Sequence, residues 1–328
     1  MPDAAFVTGA SGFIGGALTR SLIGDGWRVR ALARSDGAAA QASALGAEPV
    51  AGDLKDAEAI QAGAEGCSLA FHAAAVLGEW GSRDEFERGN VGGTENALAC
   101  CAAAGVGRFV HVGTEAGLLA GQPLVRVDEQ APLRTDSPAL YASTKARAEI
   151  AVREANRQGF ETVVVRPRLV WGVGDTTILP SLVGAVESGR FAWIGGGRHL
   201  TSTTHVDNAV HGLRLGAERG RAGGAYFVTD GEPVVFREFV TELLATQGVE
   251  APDRTLPPPL AHAIAVAGET AWRLLPLRGQ PPLTRFAYWF ATQEATIDIS
   301  LARQELGYAP ARTIAEGMAE LRGAGAAE

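Results

Sequence analysis

Ala4-Ala-Phe-Val-Thr-Gly-Ala-Ser-Gly-Phe-Ile-Gly15 is the stretch from which the architecture is read. Ala4 to Thr8 reads as a short buried strand, and Gly9, Ser11, Gly12 and Gly15 as a glycine-rich turn. Phe13, Ile14 and the residues up to Ile23 place apolar side chains at helical spacing. Glycine lets the backbone turn tightly and come close to a pyrophosphate, while a helix N-terminus offers free N–H groups and the positive end of its dipole. The spacing here is G-x-x-G-x-x-G, and a glycine turn without a ligand would look the same in isolation.

Further strands are expected at 27–33, 48–51, 68–72, 108–112 and 162–166, with helical patterns between them. The longest helical pattern runs from about Asp84 to Ala104 and ends at Gly105. Strands alternating with helices mean a parallel sheet covered on both faces, an α/β doubly wound class. After Arg166-Pro167 the regularity breaks. Helices near 179–188, 206–218, 236–246 and 260–275 alternate with loops, and 225–229 reads as one strand returning to the main sheet. The expected division is a dinucleotide-binding part, 1–168 with about 203–229, and a smaller, mostly helical substrate part, 169–202 with 230–328.

The chain has 328 residues, 46% hydrophobic and 20% charged, an ordinary globular composition. Its net charge of −8 argues against a nucleic-acid partner, whose phosphates demand a basic face. Cys67, Cys100 and Cys101 make an odd count without C-x-x-C spacing, which suggests reduced thiols rather than a disulfide framework or a zinc site. With no basic n-region ahead of the strand at Ala4, no signal peptide is visible and a cytoplasmic location is expected. The apolar stretch 256–277 is interrupted by His262, Glu269, Arg273 and four prolines, too often to span a bilayer. It suits a helix over a substrate pocket, with peripheral membrane contact as the other use.

Chemistry is carried by Tyr141-Ala-Ser-Thr-Lys145. Ser137 and Pro138 read as N-cap and N1 proline of its helix, and Gly159 as its close. Residues four apart share a helix face, so the phenol and the ammonium point the same way. A phenol ionises near ~10. A cation beside it favours phenolate and brings the group toward the range where it exchanges protons. Lys55 and Lys145 are the only lysines among 29 basic residues, so one at this position stands out.

These segments, with Gly52-Asp53-Leu54, His72-Ala-Ala-Ala75, Asn90 and Arg166-Pro167, resemble the extended short-chain dehydrogenase/reductase family, in consistent order. Gly78-Glu-Trp-Gly81, Arg166-Pro-Arg-Leu-Val-Trp-Gly172 and Pro281-Pro-Leu-Thr-Arg-Phe286 look most like its 3β-hydroxysteroid dehydrogenase-like branch, which includes bacterial 2-alkyl-3-oxoalkanoate reductases. The resemblance implies that Asp53 and Leu54 meet the adenine, that Ala73, Ala74 and Ala75 line the cofactor, that Asn90 supports the active-site helix and that Pro167 borders the nicotinamide. It implies Thr114 as the substrate-orienting hydroxyl, Tyr141 as general acid or base, and Lys145 as holder of the ribose that also lowers the phenol's pKa. Sugar-nucleotide dehydratases of the family carry an Asp-Glu pair after that threonine. Here Glu115-Ala116 follows, which counts against dehydration. Family habit also implies a homodimer, paired through the helices around 84–104 and 139–157.

At the end of the second strand stand Ala33-Arg34-Ser35, without the carboxylate that NAD-preferring folds place there. Arg34 could pair with a 2′-phosphate, so NADP(H) is expected to be preferred, with NAD(H) also usable. His205, Asp207 and His211 fit no strong metal-ligand spacing, and no metal is expected. Trp80, Trp171 and Trp193 suit either pocket lining or core packing. The expected activity is hydride transfer between a nicotinamide and a ketone or secondary alcohol, on a hydrophobic β-keto acid, steroid-like or related carbonyl compound. Two other readings remain: a nucleotide-sugar epimerase with retained NAD, and a non-catalytic NADP sensor.

Overall fold

The computed structural model describes residues 3–275 and 277–325. Seven parallel strands form the central sheet: β1 (Ala4–Thr8), β2 (Arg28–Ala33), β3 (Glu48–Ala51), β4 (Leu69–His72), β5 (Arg108–Val112), β6 (Glu161–Pro167) and β7 (Gly224–Val228). Their order across the sheet is β7-β6-β5-β4-β1-β2-β3. Alternate side chains enter opposite cores: Ala5 and Val7 pack on one face, Ala4 and Phe6 on the other. The same alternation separates Val110 from Phe109 and Val163 from Val164. Burial on both faces is why these strands read as continuous apolar runs. Each large side chain so buried is worth about 1.5–3 kcal/mol.

The strand order reverses between β1 and β4, whose last residues Thr8 and His72 pair in register. In doubly wound sheets the crevice beyond the strand ends at such a point is where ligands sit. Gly9 leaves β1 at φ +78°, and a Cβ there would lie 2.7 Å from the Ala74 backbone nitrogen. A Cβ on Gly15 would lie 2.1 Å from the Gly9 carbonyl oxygen. Only glycine permits both approaches. The helix that follows, Phe13–Gly24, has Gly12 as its N-cap and no side-chain hydrogen bond closing that end.

The long expected helix at 84–104 is composite. Ser82 caps a short helix, Arg83–Phe86, a π-helical turn covers Glu87–Gly92, and Gly93–Ala103 continues as α-helix. The helix carrying Tyr141 spans Leu140–Glu154, with Ala139 at its N-cap and no side-chain cap. The expected Ser137 cap and Pro138 start are therefore corrected. The helix begins later, at Leu140, and the Ser137 hydroxyl accepts from the Ala139 N–H two residues on, at 3.4 Å, in a local turn rather than capping a helix. Gly159, at φ +81°, lies in the turn beyond, five residues past the last helical one.

After β6, helix Val206–Arg219 packs against the central sheet and leads into β7. The remaining segments build a third core around Trp171, Trp193, Phe236, Phe239 and Leu243. Trp171 and Trp193 are thus core residues; their indole N–H groups donate to Asp230 and to the Pro252 carbonyl. A small sheet joins Val234–Val235, Leu200–Thr201, Ala295–Ile297 and Leu124–Val127, the last a strand that sequence patterning did not reveal. The three cysteines are buried and free. Among the described residues no helix is long and apolar enough to cross a membrane. The stretch 256–277 forms helix Pro258–Leu274 and a following loop, with Pro276 outside the described residues. At the Ala/Gly-rich C-terminus helix Ile314–Gly325 is ordered, and 326–328 lie outside them.

Gly15→Val drives side-chain atoms into backbone that has no room to move. It is expected to cost on the order of 2 kcal/mol or more in denaturant melts and to abolish dinucleotide binding. Gly24→Ala, with nothing within 4 Å of the added carbon, should leave both unchanged or slightly improved.

Candidate active site

Three side chains from two elements converge beyond β5. Thr114 follows β5 and caps a short 3₁₀ turn, Glu115–Leu118, its hydroxyl accepting the Ala116 N–H at 3.2 Å. Tyr141 and Lys145 stand one turn apart on helix Leu140–Glu154, which packs against that turn. The phenol lies beside the Thr114 hydroxyl and meets the ring of Phe286 edge-on, centroids 5.9 Å apart. Burial pushes the Tyr141 phenol up, Glu115 adds to this, and the Thr114 hydrogen bond opposes both.

That direction differs from the expected lowering by Lys145. The ammonium is engaged elsewhere: it donates to the Val112 carbonyl at 2.9 Å and lies 3.3 Å from His111 Nε2. Lys145 is 6% exposed, and burial pushes its pKa down to about 8, with Glu149 opposing. Of its three N–H groups, two are accounted for and one remains for a further acceptor.

A polar row lies beneath it. Thr8 Oγ1 is 2.8 Å from His72 Nδ1, His72 Nε2 is 3.0 Å from Thr94 Oγ1, and the His72 and His111 rings stack at 5.4 Å. Burial, with the Lys145 charge adding, pushes His72 down to about 3, and the same causes, with His72, hold His111 well below its ordinary value. Glu149, one further turn along the helix, pairs with Arg166 of β6, both fully buried.

The residues expected at a dinucleotide are distributed around the strand ends. Gly9 abuts Ala73 and Ala74, and the Ala74 N–H donates to Thr8 Oγ1 at 3.3 Å. Ser11 and Gly12 are exposed, Phe13 and Ile14 half-buried, and Ala75 half-buried beyond β4. Asn90, in the π-helical turn, donates to Thr144 Oγ1 (3.1 Å) and to the Val76 carbonyl (3.2 Å), and accepts the Val76 N–H (2.7 Å). It thereby ties the loop after β4 to the helix of Tyr141. Arg34 is exposed at the end of β2, beside Ser35, which caps the next helix. Asp53 is exposed and folds its carboxylate onto the Lys55 N–H, while Leu54 packs on Gly93. Pro167 ends β6 in the interior. Gly9 and Gly15 let the turn lie directly on the Ala73–Ala74 backbone and on itself, and the helix start at exposed Gly12 carries no side-chain cap, an arrangement that fits a pyrophosphate.

His205 and Asp207 lie elsewhere, with Glu320, and Arg312 pairs with Asp207 there at 2.8 Å. His205 Nδ1 accepts the Asp207 N–H and so caps helix Val206–Arg219. Sequence reading missed the pairing of Glu115 with Arg168 (2.6 Å) and the role of His111 under Lys145. The signal for the first was two arginines inside the apolar run Val163 to Trp171, since buried charges need partners.

A parallel sheet with this switch-point turn defines a Rossmann-type doubly wound fold, and comparison with known proteins places the chain in a family of that fold. The model of the 3-beta hydroxysteroid dehydrogenase/isomerase family matches residues 6–258, and the chain belongs to that family. It is an NAD(P)-dependent oxidoreductase of the extended short-chain type. It is 47% identical, over 98% of its length and 96% of the relative, to 4-hydroxy-2-methyl-3-oxo-4-farnesyl-3,4-dihydroquinoline-1-oxide ketoreductase of Stigmatella aurantiaca. A 2-alkyl-3-oxoalkanoate reductase of Stenotrophomonas maltophilia is 37% identical over 98% of this chain and 99% of its own. The fold is shared with dTDP-glucose 4,6-dehydratase of Streptomyces venezuelae, solved with NAD and TYD bound, at TM-score 0.76 and 24% identity over 97% of this chain and 95% of that one.

His72 and His111 are neutral when folded. His72 takes a proton near 6.5 when unfolded but near 3 when folded, so the unfolded state binds more protons between those values. Stability should fall as pH drops below about 6.5, by roughly 1.4 kcal/mol per unit for each such histidine. Urea melts at pH 7.5 and pH 5 should differ less for His72→Gln than for the unaltered chain.

Proposed function

We propose that the chain reduces a ketone on a bulky apolar molecule, drawing hydride from NADPH. The nicotinamide would supply that hydride, and the protein the proton and the geometry. Tyr141 is the proton donor to the carbonyl oxygen and Thr114 the hydroxyl beside that oxygen. Lys145 keeps one N–H for the ribose. The observation that carries this reading is the phenol of Tyr141 beside the Thr114 hydroxyl, with Lys145 one helical turn on and its ammonium held at the end of β5.

The substrate class is supported by the names of the ketoreductase and the 2-alkyl-3-oxoalkanoate reductase, and by the aromatic wall of helix Arg285–Thr292, whose Phe286 faces the phenol. The absence of a carboxylate at Ala33-Arg34-Ser35, with Arg34 exposed, supports NADP(H) over NAD(H). Residues 1–168 with 203–229 form the dinucleotide part of this scheme, and 169–202 with 230–328 the substrate part. The outward faces of helices Gly93–Ala103 and Leu140–Glu154 are the proposed contact with a second copy. The exposed Leu260, Ile264, Leu274 and Leu275, with Arg273, are a peripheral contact for a bilayer from which an apolar ketone would be taken. Sedimentation at micromolar concentration and flotation with anionic vesicles test these contacts; a monomer, or protein that stays unbound, rejects the corresponding one.

NADPH consumption with a 2-alkyl-3-oxoalkanoate tests the main reading. Tyr141→Phe should lower kcat about 10²–10⁴-fold while NADPH Kd stays the same; unchanged turnover removes Tyr141 from the mechanism. Arg34→Glu should shift the ratio of kcat/KM with NADPH to that with NADH toward NADH by roughly tenfold or more, the worth of one charged hydrogen bond.

A further inference from the structure

The loop after β4 crosses from the glycine turn to the far half of the chain. It begins at Ala73 and Ala74 against Gly9 and is tied at Val76 to Asn90. It then reaches Glu79, whose Oε2 accepts the Thr284 hydroxyl hydrogen at 2.7 Å. Thr284 is buried and caps helix Arg285–Thr292, its oxygen accepting the Ala287 N–H at 3.0 Å. Phe286, two residues further on, is the ring that meets the Tyr141 phenol edge-on. A helix rises about 1.5 Å per residue, so the carboxylate on Thr284 borders the space beside that ring. On the proposed function, a ketone whose oxygen meets Tyr141 has its substituents there.

The cations of the surrounding walls are engaged elsewhere. Glu269 accepts the Arg285 backbone N–H and Nε, each at 2.7 Å. Arg273 lies 3.9 Å from the same carboxylate, with its guanidinium carbon 5.7 Å from the centre of the Trp80 ring. Arg168 pairs with Glu115, and Lys145 is held on Val112 and His111. Arg278 is exposed on the connection between the two helices. Among the described residues no Lys or Arg nitrogen pairs with Glu79, which is itself exposed with its carboxyl end on Thr284. Desolvation of that carboxyl pushes its pKa up, Glu269 adds to this, and the Thr284 hydrogen bond opposes.

A carboxylate on a substrate needs a cation or donors to replace its water, and a like charge nearby repels it. A neutral ketone of the same shape meets neither cost. We propose that Glu79 is a specificity-determining residue, which makes this site take uncharged apolar ketones ahead of ketones bearing a carboxylate. The assignment narrows the substrate class and rests on the reading of Tyr141 as the proton donor at a ketone site. A 2-alkyl-3-oxoalkanoate is still turned over, less efficiently than an uncharged counterpart. Holding Thr284 does not require the charge, because a glutamine side-chain oxygen accepts the same hydroxyl hydrogen.

The test compares a 2-alkyl-3-oxoalkanoate with its primary amide, which has the same shape and no charge, by NADPH consumption of the full chain at pH 7.5. The unaltered chain should show the higher kcat/KM with the amide. Glu79→Gln should raise the acid-to-amide ratio of kcat/KM by about fivefold, the upper worth of one solvent-facing charge interaction. Added salt should also raise that ratio in the unaltered chain, and less so in Glu79→Gln, because screening acts on charge and leaves packing alone. A loosened loop would move both substrates together and leave the salt dependence in place. An acid preferred by the unaltered chain, or a ratio that Glu79→Gln leaves unchanged, overturns the proposal while the ketone-site reading stands. Consumption of neither compound rejects that reading, and this assignment with it.

Discussion

An ammonium held inside the protein, at the edge where parallel strands end, is the constraint that organises the site. Lys145 cannot be left without acceptors at that depth. The structure supplies the Val112 carbonyl and the nitrogen of His111, and sets the Glu149 carboxylate one turn further along the helix. Each of these imposes a further condition. His111 must stay neutral to accept, and it stacks on His72, which is tied between Thr8 and Thr94. Glu149 must itself be paired, and Arg166 from β6 does so. The helix of Tyr141 is thus held to β1, β4, β5 and β6 by polar contacts as well as by packing, and the direction of the phenol follows from it.

The opening glycine turn depends on the same strand ends. Thr8 uses its hydroxyl twice, toward His72 and toward the Ala74 N–H, while Gly9 passes over the Ala73–Ala74 backbone. The proposed dinucleotide cradle and the proposed proton-transfer site therefore share one foundation, the register of β1 against β4. Precise placement of reacting groups is worth far more in rate than any single contact, and here it is built from elements of the sheet rather than from free loops.

Most of the sheet was legible in the chain because strands buried on both faces have little freedom of composition, as Ala4–Thr8 and Arg108–Val112 illustrate. The helix starts were less so. Ser137-Pro138 has the residues of a helix start but is used as a turn, with the Ser137 hydroxyl closing on the Ala139 N–H two residues on instead of capping a helix. The strand Leu124–Val127 was illegible, because its partner lies near the other end of the chain and its exposed Val125 and Arg126 blur the alternation. The Tyr141, Lys145 and Thr114 positions were readable from spacing and resemblance. What surrounds them was not: Glu115 and Arg168 are 53 residues apart, and no local pattern announces a pair of that kind.

The pairing of Ala295–Ile297 with Leu124–Val127 joins segments 170 residues apart. Arg126 donates its backbone N–H to Thr296, 170 residues away, and Arg168 finds one of its acceptors at Ala295. During synthesis, the strands that make the dinucleotide cradle emerge and can pair long before these late residues leave the ribosome. Until they do, the guanidinium behind Glu115 lacks part of its cage, and contacts of such long range are the slowest to form. On the proposed function, the corner around Tyr141 is completed only once these late residues have emerged, after the strands that carry the glycine turn.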